Sequence, residues 1–137
     1  MNTEKKWSDP SILRSIKNPS SSSYEVRIKD PEVTFIGAPE QPDFAVIYII
    51  MYPKDRIIEL KSLKKYFWQF RETLISYERF MEVVYNDLLS TYQPVRLWIR
   101  GSFNPRGGIY TTITVDSDLP IRGGSNQFKD YPALDSW

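Results

Sequence analysis

Two segments carry the residues best equipped for chemistry, Gln41-Pro42-Asp43-Phe44 and Glu59-Leu60-Lys61-Ser62-Leu63-Lys64-Lys65-Tyr66. The second packs a carboxylate, lysines and a hydroxyl into a junction where a strand pattern hands over to a helical one. Helix N-termini attract anions through free backbone N–H groups and the macrodipole. Lysines added there can hold a phosphorylated cofactor, although a lysine pair is also what an ordinary solvated helix face looks like. Against this stands an absence: the 137 residues include no cysteine and no histidine. The side chains most used for covalent and acid–base catalysis are therefore missing.

Composition narrows the class. Hydrophobic residues make up 41% and charged residues 26%, an ordinary globular balance. The length predicts one domain with a core large enough to fold without disulfides. A formal charge of +1 gives no electrostatic case for nucleic acid or a membrane surface. Structural zinc sites built on cysteine or histidine are excluded, no run resembles a calcium loop, and no metal is expected. There is no run of ~18 apolar residues to span a bilayer, so a cytoplasmic protein is expected. The four Trp, nine Tyr and seven Phe suit a core and also a subunit interface.

The pattern along the chain predicts the frame for these groups. Residues 1–23 read as a flexible leader, because Pro10, Pro19 and the Ser20–Ser23 run offer little to bury. Tyr24–Ile28 and Val33–Ile36 read as two short extended runs broken at Asp30-Pro31, and 37–43 as a loop. Phe44–Tyr52 is the strongest strand, almost wholly apolar and so covered on both faces. Pro53-Lys54-Asp55 predicts a turn, with Arg56–Leu60 returning beside it as a hairpin strand. Leu63, Phe67, Phe70 and Leu74 then mark a helix over 61–74. Ser76 predicts the N-cap of a second helix, striped by Phe80, Val84 and Leu88 and stopped by Pro94. Val95–Phe103 and Ile109–Val115 predict a last hairpin around Asn104-Pro105-Arg106-Gly107-Gly108. The domain is expected over 24–116, followed by a C-terminal tail over 117–137. A ββααββ unit of this kind leaves sheet edges open, which several subunits joined edge to edge would close.

Taken in order, Gln41-Pro42-Asp43-Phe44, Glu59-Leu60-Lys61-Ser62-Leu63-Lys64, Phe70-Arg71, Asn86-Asp87-Leu88 and Phe103-Asn104-Pro105-Arg106-Gly107-Gly108 resemble the short-chain NADPH-dependent 7-cyano-7-deazaguanine reductases. These are nitrile reductases of queuosine biosynthesis. The resemblance implies an α+β tunnelling fold: a four-stranded antiparallel sheet with two helices on one face, assembled as an oligomeric barrel of pentamer or decamer type. It implies a 7-deazaguanine ligand, NADPH as cofactor, and reduction of the nitrile to an aminomethyl group through a cysteine thioimide. Asp43 then matches the acidic partner that manages the proton. Glu78 matches the glutamate that grips the base, with Glu59 and Ser62 also on the substrate side. Lys61, Ser62, Lys64 and Arg106 fall where the family meets its cofactor. A carboxylate can accept two parallel hydrogen bonds from a guanine-like N–H and NH₂ edge, so Glu78 suits such a ligand. Without the resemblance Glu78 reads as a helix-start carboxylate and Asp43 as a turn residue.

Two positions depart from the pattern. Ala38, in Gly37-Ala38-Pro39, stands where the family places its nucleophilic cysteine, and the loop leading to Asp43 is short. Tyr77 stands where the family carries a histidine; an unperturbed phenol has a pKa of ~10 and exchanges no proton near neutrality. Both departures fall on chemistry, while the binding residues persist. Three readings stay open: a reductase that needs a thiol this chain lacks, a related enzyme forming an amidine on tRNA, and a paralogue that binds a deazapurine or purine without reducing a nitrile. The near-neutral charge counts against tRNA.

Overall fold

The computed structural model describes residues 6–118. Its centre is an antiparallel sheet of four strands in the order β2-β3-β5-β6, with β2 at Val26–Ala38, β3 at Gln41–Tyr52, β5 at Arg96–Arg106 and β6 at Ile109–Asp116. Two helices, α1 (Leu60–Trp68) and α2 (Tyr77–Tyr92), lie between the two hairpins in sequence. The α+β fold with its ββααββ order is thus as expected. Ala45, Ile47, Ile49 and Met51 of β3 alternate into the core with Leu97, Ile99 and Phe103 of β5. Against them pack Leu63, Tyr66 and Phe67 of α1 and Phe80, Met81, Val84, Leu88 and Tyr92 of α2, the apolar stripe that drives an amphipathic helix onto a sheet.

The edges of these elements differ from the local pattern. Asp30-Pro31 does not break a strand. Asp30 pairs with Ile47 and Val33 with Ala45, so Pro31 and Glu32 bulge opposite a single residue of β3. A bulge on an edge strand is where a proline, which has no N–H, can be carried. The loop expected over 37–43 shrinks to Pro39-Glu40, with Glu40 at φ 62°, and β3 begins at Gln41.

The returning strand after Tyr52 is also a correction. Arg56–Ile58 (β4) does not pair with β3, because β2 and β5 already occupy both of its sides. It pairs instead with Ser15–Lys17 (β1), from the stretch read as a leader. That stretch holds a 3-10 turn at Pro10–Ile12 and a buried Leu13. The Arg14 N–H donates to Ser62 Oγ at 2.9 Å, and the Tyr92 phenol donates to the Arg14 carbonyl at 2.8 Å. Ser8 Oγ and the Tyr66 phenol both donate to Asp87 Oδ2 at 2.6 Å, tying the N-terminal stretch to both helices.

The first helix ends at Trp68 rather than Leu74. Phe70, Arg71 and Thr73 make tighter i→i−3 bonds, and the chain is then captured by β2. The Ile36 N–H donates to the Thr73 carbonyl and the Ile75 N–H to the Ile36 carbonyl, each at 2.9 Å. Leu74, counted in the helical stripe, is exposed. Ser76 caps α2 as expected, its hydroxyl accepting from the Arg79 N–H at 3.1 Å. The tail expected over 117–137 lies, after Asp118, outside the described residues.

Candidate functional site

Asp43 lies on the core face of β3, level with Phe35, at 2% exposure. A carboxylate so deeply placed needs partners. One is Arg106, whose Nε donates to Oδ1 at 3.3 Å and whose Nη2 donates to Oδ2. The other is Tyr77, whose phenol donates to Oδ1 at 3.0 Å. The Tyr77 ring stacks on Phe103 with centroids 4.2 Å apart and planes within 4°, and meets Phe35 edge-on at 5.8 Å. The Arg106 guanidinium lies 5.5 Å from the centre of that ring. Asp43, Tyr77 and Arg106, from three separate elements, thus form one closed cluster.

Local sequence explains how they meet. Arg106 would point to the opposite face if β5 ran regularly. A bulge at Asn104-Pro105, between the Phe103–Thr111 and Arg106–Ile109 pairs, turns it onto the face of Asp43. Gly107 and Gly108, at φ 55° and 79°, close the hairpin directly after it, as a two-residue turn of this hand requires. The Asn104 side chain accepts the Phe44 N–H at 2.8 Å, securing β3 where the ladder ends. Opposite, a second bulge falls between the Ile36–Pro42 and Ala38–Gln41 pairs and leaves Gly37 beside the cluster. A Cβ built on Gly37 would overlap the Asp43 carboxylate and come within 2.6 Å of Arg106 Nη2. The place a side chain would fill at position 37 is therefore taken by the ion pair. Ala38, at the expected cysteine position, closes the hairpin opposite Gln41.

Electrostatics follow the geometry. Burial pushes the Tyr77 phenol above its ordinary value, and the bond to Asp43 pushes it further. The hydrogen bond to Asp43 likewise raises Arg106, which is charged at any ordinary pH.

The remaining residues named from the sequence stand elsewhere. Glu59 caps α1, its carboxylate accepting the Ser62 N–H at 3.0 Å. Ser62 is buried, and its hydroxyl donates to the Glu59 carbonyl at 2.8 Å while accepting from Arg14. Lys64 pairs with Asp30 at 3.3 Å and reaches Glu32 at 3.8 Å. Ser62 and Lys64 thus have partners within the chain, while Lys61 and Arg106 are exposed. Glu78 is exposed in the first turn of α2, adjacent in sequence to Tyr77. Among the described residues no cluster of three acids or other ligating groups could hold a metal ion, and no helix is long and apolar enough to cross a membrane. Sequence reasoning missed the role of Gly37; its signal was a glycine two residues past Phe35, on the strand opposite Asp43.

Comparison with known proteins agrees with this layout. The family described as QueF-like protein matches residues 42–120, from just before Asp43 to beyond Arg106. The chain is 37% identical over 110 residues to the NADPH-dependent 7-cyano-7-deazaguanine reductase of Thioalkalivibrio sulfidiphilus, covering 79% of this chain and 85% of that protein. It is 39% identical over 113 residues to the protein of the same name from Thermomicrobium roseum, covering 81% and 88%. With the Gloeobacter violaceus protein of that name the identity is 39% over 101 residues, covering 71% and 72%. On these matches, and with the sheet, helices and Asp43 cluster in place, the chain belongs to the QueF-like protein family.

Proposed function

We propose that this chain is a cysteine-free family member that binds a guanine-like 7-deazaguanine base and does not reduce a nitrile through a covalent adduct. One observation carries this reading. The space beside Gly37 is filled by the Asp43–Arg106 pair, and the next residue, Ala38 at the position of the family cysteine, carries no thiol, nor does any other residue of the chain. Asp43 is thereby held by two partners instead of facing a ligand. Covalent catalysis needs an activated nucleophile, and none is at hand.

In this reading Glu78 grips the base. Its carboxylate is exposed at the start of α2 and free to accept the N–H and NH₂ of a guanine edge together. Glu78 stands exposed on the single chain, so in this reading a neighbouring subunit closes the base in. Open edges support such an assembly. Among the described residues β2 and β6 each pair on one side, apart from the Ile36 bridge, and Ile109 and Tyr110 on β6 are exposed. Exposed apolar edges call for a partner.

NADPH-dependent reduction of 7-cyano-7-deazaguanine is the second reading, favoured by the name its relatives carry. Mixing the protein with 7-cyano-7-deazaguanine and NADPH separates the two. Calorimetric binding of the base without nicotinamide oxidation is the expected result. Consumption of NADPH with release of the aminomethyl base would overturn the proposal.

A further inference from the structure

Arg106 meets Asp43 side-on, and that choice of edge matters. Nε and Nη2 each give one hydrogen to a different oxygen of the same carboxylate, the parallel fork of an Arg–carboxylate pair. A guanidinium carries five N–H donors in one plane. The side-on pair therefore leaves the end-on edge, made of Nη1 and the second hydrogen of Nη2. Nη1 makes no hydrogen bond among the described residues. Exposure points the same way: the Asp43 side chain is 2% exposed, while that of Arg106 is 40% exposed. What this site presents outward is the outer edge of the cation, with the carboxylate hidden behind it.

That edge is held still. Asp43 fixes one side of the guanidinium, and the Tyr77 ring lies beneath it, itself stacked on Phe103. Beside it lies a depression of about 390 Å³ whose wall includes Gln41, Pro42, Asn104 and Gly107. Glu40 also lines it, exposed at the turn, where solvent screens its charge. A pre-oriented fork binds more tightly than a mobile one because less freedom is lost on binding. Two parallel N–H donors match two coplanar oxygens. A nitrile, with one linear acceptor, engages half of such a fork.

We propose that the end-on edge of Arg106 is a carboxylate receptor, and that the base recognised by this chain carries a carboxylate on its five-membered ring where a reductase substrate carries a nitrile. The inference rests on the base-binding reading above. It also accounts for a site without a nucleophile, since an anionic substituent is bound here by a cation and is not attacked.

Calorimetry on the full chain, at fixed ionic strength, tests it with NADPH and three bases: 7-carboxy-7-deazaguanine, 7-cyano-7-deazaguanine and unsubstituted 7-deazaguanine. The carboxylated base is expected to bind about tenfold or more tightly than the other two, the scale of a charge-assisted pair. Arg106→Lys keeps the charge without the planar fork and should lose most of that preference. Asp43→Asn with Arg106→Gln removes both charges together, so that no buried carboxylate is stranded; the preference should vanish. Equal binding of all three by the native chain overturns the carboxylate receptor and leaves base binding standing. Binding of none removes both. A preference that survives the double substitution also overturns it, as does a double variant that loses only affinity for NADPH, which would assign the fork to a nucleotide phosphate.

Discussion

The Tyr77 phenol donates to Asp43 Oδ1 at 3.0 Å while its ring lies flat on Phe103, so one residue links a polar cluster to the aromatic core. Tyr77→Phe keeps the stacking and removes only the hydrogen bond. Arg106 still holds the carboxylate, so the loss is expected to be modest, about 1 kcal/mol. Urea denaturation of the two proteins measures it. A loss several times larger would mean that Arg106 alone does not satisfy Asp43.

A side chain at position 37 would overlap the Asp43 carboxylate first and Arg106 second, so substitutions at 37 and 106 should not add. Gly37→Ala forces Asp43 and Arg106 aside and is expected to lower the denaturation midpoint clearly. In an Arg106→Gln background, where the side chain is shorter and uncharged, the same change should cost less. A double-mutant cycle on denaturation midpoints reads the coupling. Additive effects would show that position 37 does not face the pair in solution.

Alkaline pH should unfold this protein through its buried phenols. Burial, with the nearby Asp87 carboxylate, pushes Tyr66 far above its ordinary value, and burial pushes Tyr92 up to about 12. Below pH ~10 the folded and unfolded chains both keep these protons, and the stability is fully present. Above it the unfolded chain releases them first, so stability falls as pH rises towards 12 and beyond. Midpoints measured between pH 8 and 12 should be flat at first and then decline. Tyr66→Phe should blunt the decline, at the cost of one hydrogen bond to Asp87.

The stretch before β2 belongs to the folded body from Trp7 onwards. Leu13 sits in the core cluster at 6% exposure, and Arg14 bonds both Ser62 and Tyr92. Leu13→Ala is expected to cost about 2–4 kcal/mol. Truncation up to Ser23 should cost more, since it also strips β4 of its partner and leaves Asp87 without Ser8. A truncated chain as stable as the full one would contradict this packing.

Sequence made the frame legible wherever the signal was local and repeated. Phe44–Tyr52 reads as a buried strand because nearly every residue is apolar, and the α2 stripe reads as a helix because the four-residue spacing repeats from Phe80 through Val84 to Leu88. Ser76 and Gly107-Gly108 are legible because cap and turn chemistry act over a few residues. What failed was long-range. Ser15-Ile16-Lys17 is too short to carry a pattern, and only its pairing with Arg56–Ile58 makes it a strand. The end of α1 is set by Ile36, far back in the chain. The site shows the same division. Asp43, Tyr77 and Arg106 were each named, but their union was invisible, because two bulges bring Arg106 and Gly37 to Asp43 and bulges leave no periodic trace. Ser62 and Lys64, named as ligand groups, bond to the Glu59 carbonyl and to Asp30 within the chain.

Calorimetric titration of the native chain and of Glu78→Gln with 7-deazaguanine tests the central claim most directly. The replacement keeps the size of the side chain and removes the two-oxygen acceptor. Binding by the native chain that falls by an order of magnitude or more in Glu78→Gln is the expected result. Undiminished affinity in Glu78→Gln, or no binding by the native chain, would contradict it.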